Sequence, residues 1–130
     1  TFNNIKNITL PINLNWKKAW DMRNKNIYAD CETLVYDKNL NLTNIGNEIQ
    51  SIEDVMGQFM GILCIPKKFI FETCSAYKSL KDNVKNKLHT TSFLNILIQK
   101  DFKIKCLKFD SHWYEFDDIE DFNNFNKDKI

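Results

Sequence analysis

The run Gly57-Gln58-Phe59-Met60-Gly61-Ile62-Leu63-Cys64-Ile65 constrains the fold more than any other stretch of the chain. It is almost continuously apolar and too short for a helix of that hydrophobicity. A strand covered on both faces is the natural reading, and such strands belong to sheets flanked by helices. The segments before it alternate in type. Ile8-Thr9-Leu10-Pro11-Ile12 reads as a strand, with Pro11 pointing to a strand end or an edge. Asn15 is placed to cap a helix from Trp16 to Met22 that sets Trp16 and Trp20 on one face. Residues 32–46 read as a β-hairpin: Thr33 to Tyr36, a turn at Asp37-Lys38-Asn39, and a return over Leu42 to Ile45. Gly46 supplies a positive φ where that hairpin leaves the sheet. Ser51-Ile52-Glu53-Asp54 carries the residues of a capped helical turn.

After the run, Pro66 opens a helix through about Leu80, with Phe69, Ile70, Thr73, Cys74 and Tyr77 at core spacing. A further helix from Thr91 to Lys100 presents Phe93, Leu94, Leu97 and Ile98. Lys103 to Phe109 alternates Lys with apolar residues and reads as a strand. A last helix, Asp118 to Phe125, is expected to pack Ile119, Phe122 and Phe125. The order predicts one α/β domain over residues 1–130, a three-layer sandwich. Composition agrees: 130 residues, 43% hydrophobic, with 10 Phe, 4 Tyr and 3 Trp, suffice for one core.

Charge narrows the partners. With 18 basic and 17 acidic side chains the net charge is +1, which makes no global case for nucleic acid or an anionic membrane. No apolar run approaches the roughly 18 residues of a membrane span. The four cysteines (Cys31, Cys64, Cys74, Cys106) include no C-x-x-C pair, and there are only two His, so a thiolate metal site is not expected. Cys64 and Cys106 lie in apolar runs and read as buried, reduced thiols in a cytoplasmic protein.

The charges are also segregated. Residues 66–108 hold ten Lys against three acids, and residues 110–121 hold six acids and no basic residue. That acidic segment, His112-Trp113-Tyr114-Glu115-Phe116-Asp117-Asp118-Ile119-Glu120-Asp121-Phe122, follows a strand, where open α/β sheets bind ligands. Mg²⁺ needs one or two carboxylates there and takes its other ligands from phosphate and water. If residues 113–116 are extended, Glu115 and Asp117 project from the same side. Asp118 is placed to cap the last helix, and Glu120 and Asp121 to favour its positive end. The competing reading is simply an acidic helix start. Trp16 and Trp20 read as core or interface anchors, Met60 and Phe59 as core, and His112 as a solvent-exposed residue.

An ordered set of short motifs adds to this. They are Trp16-Lys17-Lys18-Ala19-Trp20-Asp21-Met22-Arg23, Asp30-Cys31-Glu32-Thr33, Ile45-Gly46, Gly57-Gln58-Phe59-Met60-Gly61, and Trp113-Tyr114-Glu115-Phe116-Asp117 with Glu120-Asp121-Phe122. Together, from about Ile8 to Phe125, they resemble the carboxyl-terminal half of bacterial sugar-nucleotidyltransferase-like proteins. The phosphocholine and phosphoglutamine cytidylyltransferases associated with capsule synthesis are the nearest subset. The resemblance implies a Rossmann-like α/β fold with a mixed sheet, of the nucleotide-diphospho-sugar transferase type. It implies transfer of a nucleotidyl group from a nucleoside triphosphate, CTP in the nearest subset, to a phosphorylated small acceptor, with release of pyrophosphate and with Mg²⁺ as cofactor. The acceptor phosphate attacks directly, so no protein nucleophile is expected, and catalysis is positioning plus charge neutralisation.

Carried over by position, Asp117 is the implied metal ligand with Glu115 beside it. Trp113 lines the acceptor pocket, and Asp30, Glu32 and Gln58 meet the acceptor's polar groups. Two positions depart from the family. Asn47-Glu48 follows Ile45-Gly46 where relatives carry Lys, and His89-Thr90-Thr91 keeps only the Thr of an Asp-Met-Thr triplet. The family's amino-terminal half, with its Gly-rich triphosphate loop and a first metal-binding Asp, has no counterpart before Trp16. The expectation is an acceptor- and metal-binding half that pairs with such a half or forms a homodimer. The alternative is a non-catalytic interaction or regulatory domain derived from such an enzyme.

Overall fold

A computed structural model describes residues 5–23, 31–110 and 112–127. Strand β1 (Ile8–Asn13) lies at the centre of a three-stranded sheet, and all six of its residues are buried. It runs parallel to β5 (Ile104–Phe109), in register from Ile8 opposite Ile104 to Asn13 opposite Phe109. On its other side it pairs antiparallel with β4 (Gln58–Phe59). The sheet is therefore mixed. The α/β class expected from the sequence is observed, but the strand covered on both faces is β1 and not the run 57–65.

That run is an interrupted edge strand. Gln58 and Phe59 pair with Asn13 and Ile12, and Cys64 then pairs with Thr9 through two 2.9 Å backbone bonds. Five residues of chain thus advance opposite three, a bulge in which Gly61 takes φ +72 and Ile62 stands exposed. The bulge also explains Pro11. Its carbonyl accepts from Met60 N–H at 3.3 Å, and its ring nitrogen faces the same side, where the bulge demands little from the ladder. A proline that reads as an edge signal is tolerated in the central strand for that reason.

The hairpin pairs β2 (Glu32–Tyr36) with β3 (Leu42–Glu48), as expected. Its turn is organised by Asp37, whose carboxylate accepts from the Asn41 side chain and from the backbone N–H of Asn41 and Asn39, all at 2.8 Å. These bonds, the Asn41 side-chain bond foremost, hold the Asp37 carboxyl below its ordinary range. The hairpin tip joins the main sheet where Asn41 bridges to Lys105 and Cys106 N–H donates to Leu40 O. Gly46 does not mark an exit from the sheet. It lies inside β3 with φ +76, where its missing Cβ admits Thr91.

Among the described residues five helices accompany these strands: α1 (Trp16–Arg23), α2 (Lys67–Lys78), a single turn α3 (Asp82–Lys85), α4 (Thr90–Gln99) and α5 (Ile119–Lys127). A 3-10 turn at Ile52–Asp54 carries the expected capping box on Ser51. The main core joins Ile8, Leu10 and Ile12 of β1, Leu34 and Ile45 of the hairpin, Ile104 of β5, and Leu94 and Leu97 of α4. Trp16 and Trp20 form a second cluster with Ile49 and Val55.

Two helices bury only part of what their apolar residues announce. In α2 the buried residues are Thr73 and Ala76, with Phe69 packed on the core beside them; Tyr77 stays partly exposed but packs edge-on against Phe93, 5.7 Å between ring centroids, and Ile70 and Cys74 are exposed. The helix carries apolar residues on two sides, and periodicity alone does not rank them. In α5 the fully buried residue is Asp121; Phe125 is half-buried and Phe122 partly exposed, both packing on the preceding segment, while Ile119 faces solvent. Cys106 is buried as expected, Cys64 only half-buried, and no helix among the described residues is long and apolar enough to cross a membrane.

Candidate functional site

The segment that follows β5 is oriented by aromatic stacking on α5. Tyr114 packs against Phe125 with ring centroids 4.6 Å apart, and Phe116 packs against Phe125 and Phe122 at 5.3 and 5.8 Å. With the even-numbered rings turned to α5, Glu115 and Asp117 point the other way. The helix start locks this arrangement. Asp118 Oδ1 accepts from Asp121 N–H at 2.9 Å, and Asp121 Oδ2 accepts from Asp117 N–H at 3.0 Å. This reciprocal pair is a close variant of a capping box, and it fixes the backbone of Asp117 itself.

Glu115 and Asp117 line a cavity of about 380 Å³ between the hairpin, β4 and α1. Glu32 and Thr33 enter from β2, Gln58 from β4 and Thr91 from α4, while Trp16 and Trp20 supply apolar wall. Gln58 Nε2 donates to Glu115 Oε2 at 3.4 Å, tying β4 to the acidic segment. Its Oε1 is buried without a hydrogen-bond partner among the described residues. The Thr33 hydroxyl bonds the Asn44 side chain and accepts from Asn47 N–H at 3.1 Å, so it serves the hairpin frame. Asn47 is likewise held within the hairpin, its Nδ2 donating to Asn44 Oδ1 at 3.0 Å.

The position of Thr91 is set from β3. Asn95, one turn further along α4, accepts from Ile45 N–H at 3.2 Å and donates to Ile45 O. This clamp and the close approach at Gly46 seat the start of α4 against the cavity wall.

Four residues singled out in the sequence therefore meet in one cavity: Glu32, Gln58, Glu115 and Asp117. Trp113 is half-buried and is not among the lining residues, its Nε1 lacking a partner among the described residues. Asp30 lies outside the described residues. His112 is exposed, its ring stacked 6.4 Å from that of Tyr114. Thr91 and the tryptophans join the site unannounced; the one signal for Thr91 was the resemblance in which His89-Thr90-Thr91 keeps only the Thr.

Among the described residues, three carboxylates and no Lys or Arg line the cavity, a lining that suits a cation. Among the described residues no group of three or more His, Cys, Asp or Glu side chains is arranged to hold a metal ion. Two hard-oxygen side chains opening on a shared space match what Mg²⁺ asks of a protein when substrate oxygens and water complete its shell.

The fold and the site thus define a mixed-sheet α/β protein with an acidic, tryptophan-walled cavity beside the carboxyl end of a parallel strand. No family model matches the chain. It is similar to the CTP:phosphoglutamine cytidylyltransferase of Campylobacter jejuni subsp. jejuni serotype O:2, at 26% identity over 120 residues, covering 88% of this chain and 47% of that protein. The chain spans about half the length of the curated relative it matches. The likeness to part of a cytidylyltransferase, legible in the motifs, is thus found by direct comparison.

Proposed function

We propose that this chain is the acceptor- and metal-binding part of a nucleotidyltransferase that moves a cytidylyl group from CTP to a phosphorylated small acceptor. A phosphate oxygen of the acceptor forms the new bond to the α-phosphorus of CTP. The bond from that phosphorus to the bridging oxygen breaks, and pyrophosphate leaves. The observation that carries this reading is convergence. Motif residues from β2, β4 and the segment after β5, far apart in sequence, line the same cavity, and they are the residues by which the chain resembles such enzymes.

Asp117 and Glu115 would hold Mg²⁺, with Gln58 steadying Glu115. When bound, the cation neutralises phosphate charge and polarises the phosphoryl oxygens. The carboxylate lining itself repels phosphate, so the acceptor's phosphate enters only alongside a cation, while Glu32 and Gln58 meet the acceptor's polar groups. Trp16 and Trp20 shield this side from water. The same reading places the reaction in the cytoplasm, in the supply of precursors for a capsule or other surface polysaccharide.

The test is pyrophosphate release by the intact protein from CTP with Mg²⁺ and phosphorylated small acceptors. Asp117→Asn is expected to lower turnover about 100-fold or more while leaving the circular dichroism spectrum unchanged. Wild-type turnover in that variant contradicts the assignment of Asp117.

A further inference from the structure

Helix α2 carries a second apolar stripe that the core does not use. Ile70, Phe71 and Cys74 lie toward its outer side, all exposed, with Phe71 85% exposed, whereas Tyr77 packs edge-on against Phe93 of α4 with ring centroids 5.7 Å apart. Lys67 and Lys78 lie on the same side of the helix as Phe71, four residues before it and seven after, and both are exposed. A second exposed apolar group lies around the start of α5: Phe116, Ile119 and Phe122, with Ile119 72% exposed. It is rimmed by the exposed acids Asp118 and Glu120. One group is thus apolar with a basic rim, the other apolar with an acidic rim. Soluble chains rarely leave contiguous apolar groups of this kind uncovered.

We propose that the outer side of α2 and the outer side of α5 are the two halves of a head-to-tail interface between copies of this chain. Charge selects this pairing. Two α2 sides meeting would bring Lys67 and Lys78 against their own kind, and two α5 sides would oppose Asp118 and Glu120 in the same way. The crossed arrangement sets Lys against Asp and Glu around Phe71 and Ile119. A contact between unlike sides leaves one of each open at the ends, so association continues into rings or filaments and does not stop at a symmetric dimer. The interface is independent of what the cavity binds.

Sedimentation velocity of the 130-residue chain over a concentration series tests this, using Phe71→Asp and Ile119→Ser, two exposed positions whose folding is checked by circular dichroism. The wild type is expected to gain mass with concentration, and each variant to sediment as a monomer. An equimolar mixture of the variants should form a 1:1 dimer and nothing larger, because each supplies the side that the other has lost. Three outcomes overturn the proposal. They are a wild type that stays monomeric, one variant that keeps wild-type association (a symmetric interface), and a mixture that remains monomeric.

Discussion

Gly46 shows how one residue can serve both fold and site. Its φ of +76 falls where L side chains rarely go, and a Cβ placed there would stand 2.5 Å from the Cβ of Thr91, a residue of the cavity wall. Gly46→Ala is expected to cost about 2 kcal/mol, read as a shift of the urea midpoint. The positive φ was legible in the sequence. The reason for it was not, because the approach of Thr91 is a contact across 45 residues that no local pattern encodes. Cys106 gives a prediction in pH. Burial pushes its thiol from 9.0 up to about 12, against a smaller opposing pull from Lys108. Below pH 9 both folded and unfolded chains keep the proton, and Cys106 contributes no pH dependence. Between 9 and 12 the unfolded chain loses a proton that the folded chain retains, so stability falls as pH rises through that window. Cys106→Ala should flatten this alkaline loss relative to wild type; equal slopes in the two proteins would contradict the buried-thiol account.

At the scale of elements, the clamp of Asn95 on Ile45 couples α4 to β3. Asn95→Ala strands an N–H and a carbonyl on a buried strand residue, and a loss of about 3 kcal/mol is expected by chemical denaturation. At the other wall, Asp121 is only 2% exposed, and its carboxylate holds Asp117 N–H. Asp121→Ala should weaken folding by about 1 kcal/mol and should weaken the proposed Mg²⁺ binding at Asp117 more than Asp121→Asn, which keeps an acceptor oxygen. The elements themselves were largely readable: the hairpin, α4, β5 and the capping box at Ser51 sit where their turn residues and periodicity put them. What failed was rank within the sheet. The apolar run 57–65 has the composition of a central strand, yet Gly61 breaks it into an edge, and the centre goes to β1 with its proline. Faces were legible only in part in α2 and α5: Phe69, Thr73, Tyr77, Phe122 and Phe125 pack, while Ile70, Cys74 and Ile119 stay exposed.

At the scale of the molecule, the site was more legible than the sheet that carries it. Glu115 and Asp117 share a side as the alternation suggested, although rings stacked on α5, and no strand pairing, hold them there. The acidic segment was visible in the charge pattern, while its meeting with Glu32 and Gln58 depends on how the hairpin and β4 lie against β1. Localised binding of a divalent cation tests the central claim most directly. On titration with Mn²⁺ as a paramagnetic stand-in for Mg²⁺, nuclear magnetic resonance should show broadening centred on the amides of Glu115, Asp117, Gln58 and Glu32, and Asp117→Asn should abolish it. Broadening spread evenly over the surface acids, or unchanged in Asp117→Asn, would contradict the assignment of this cavity as the metal-binding site.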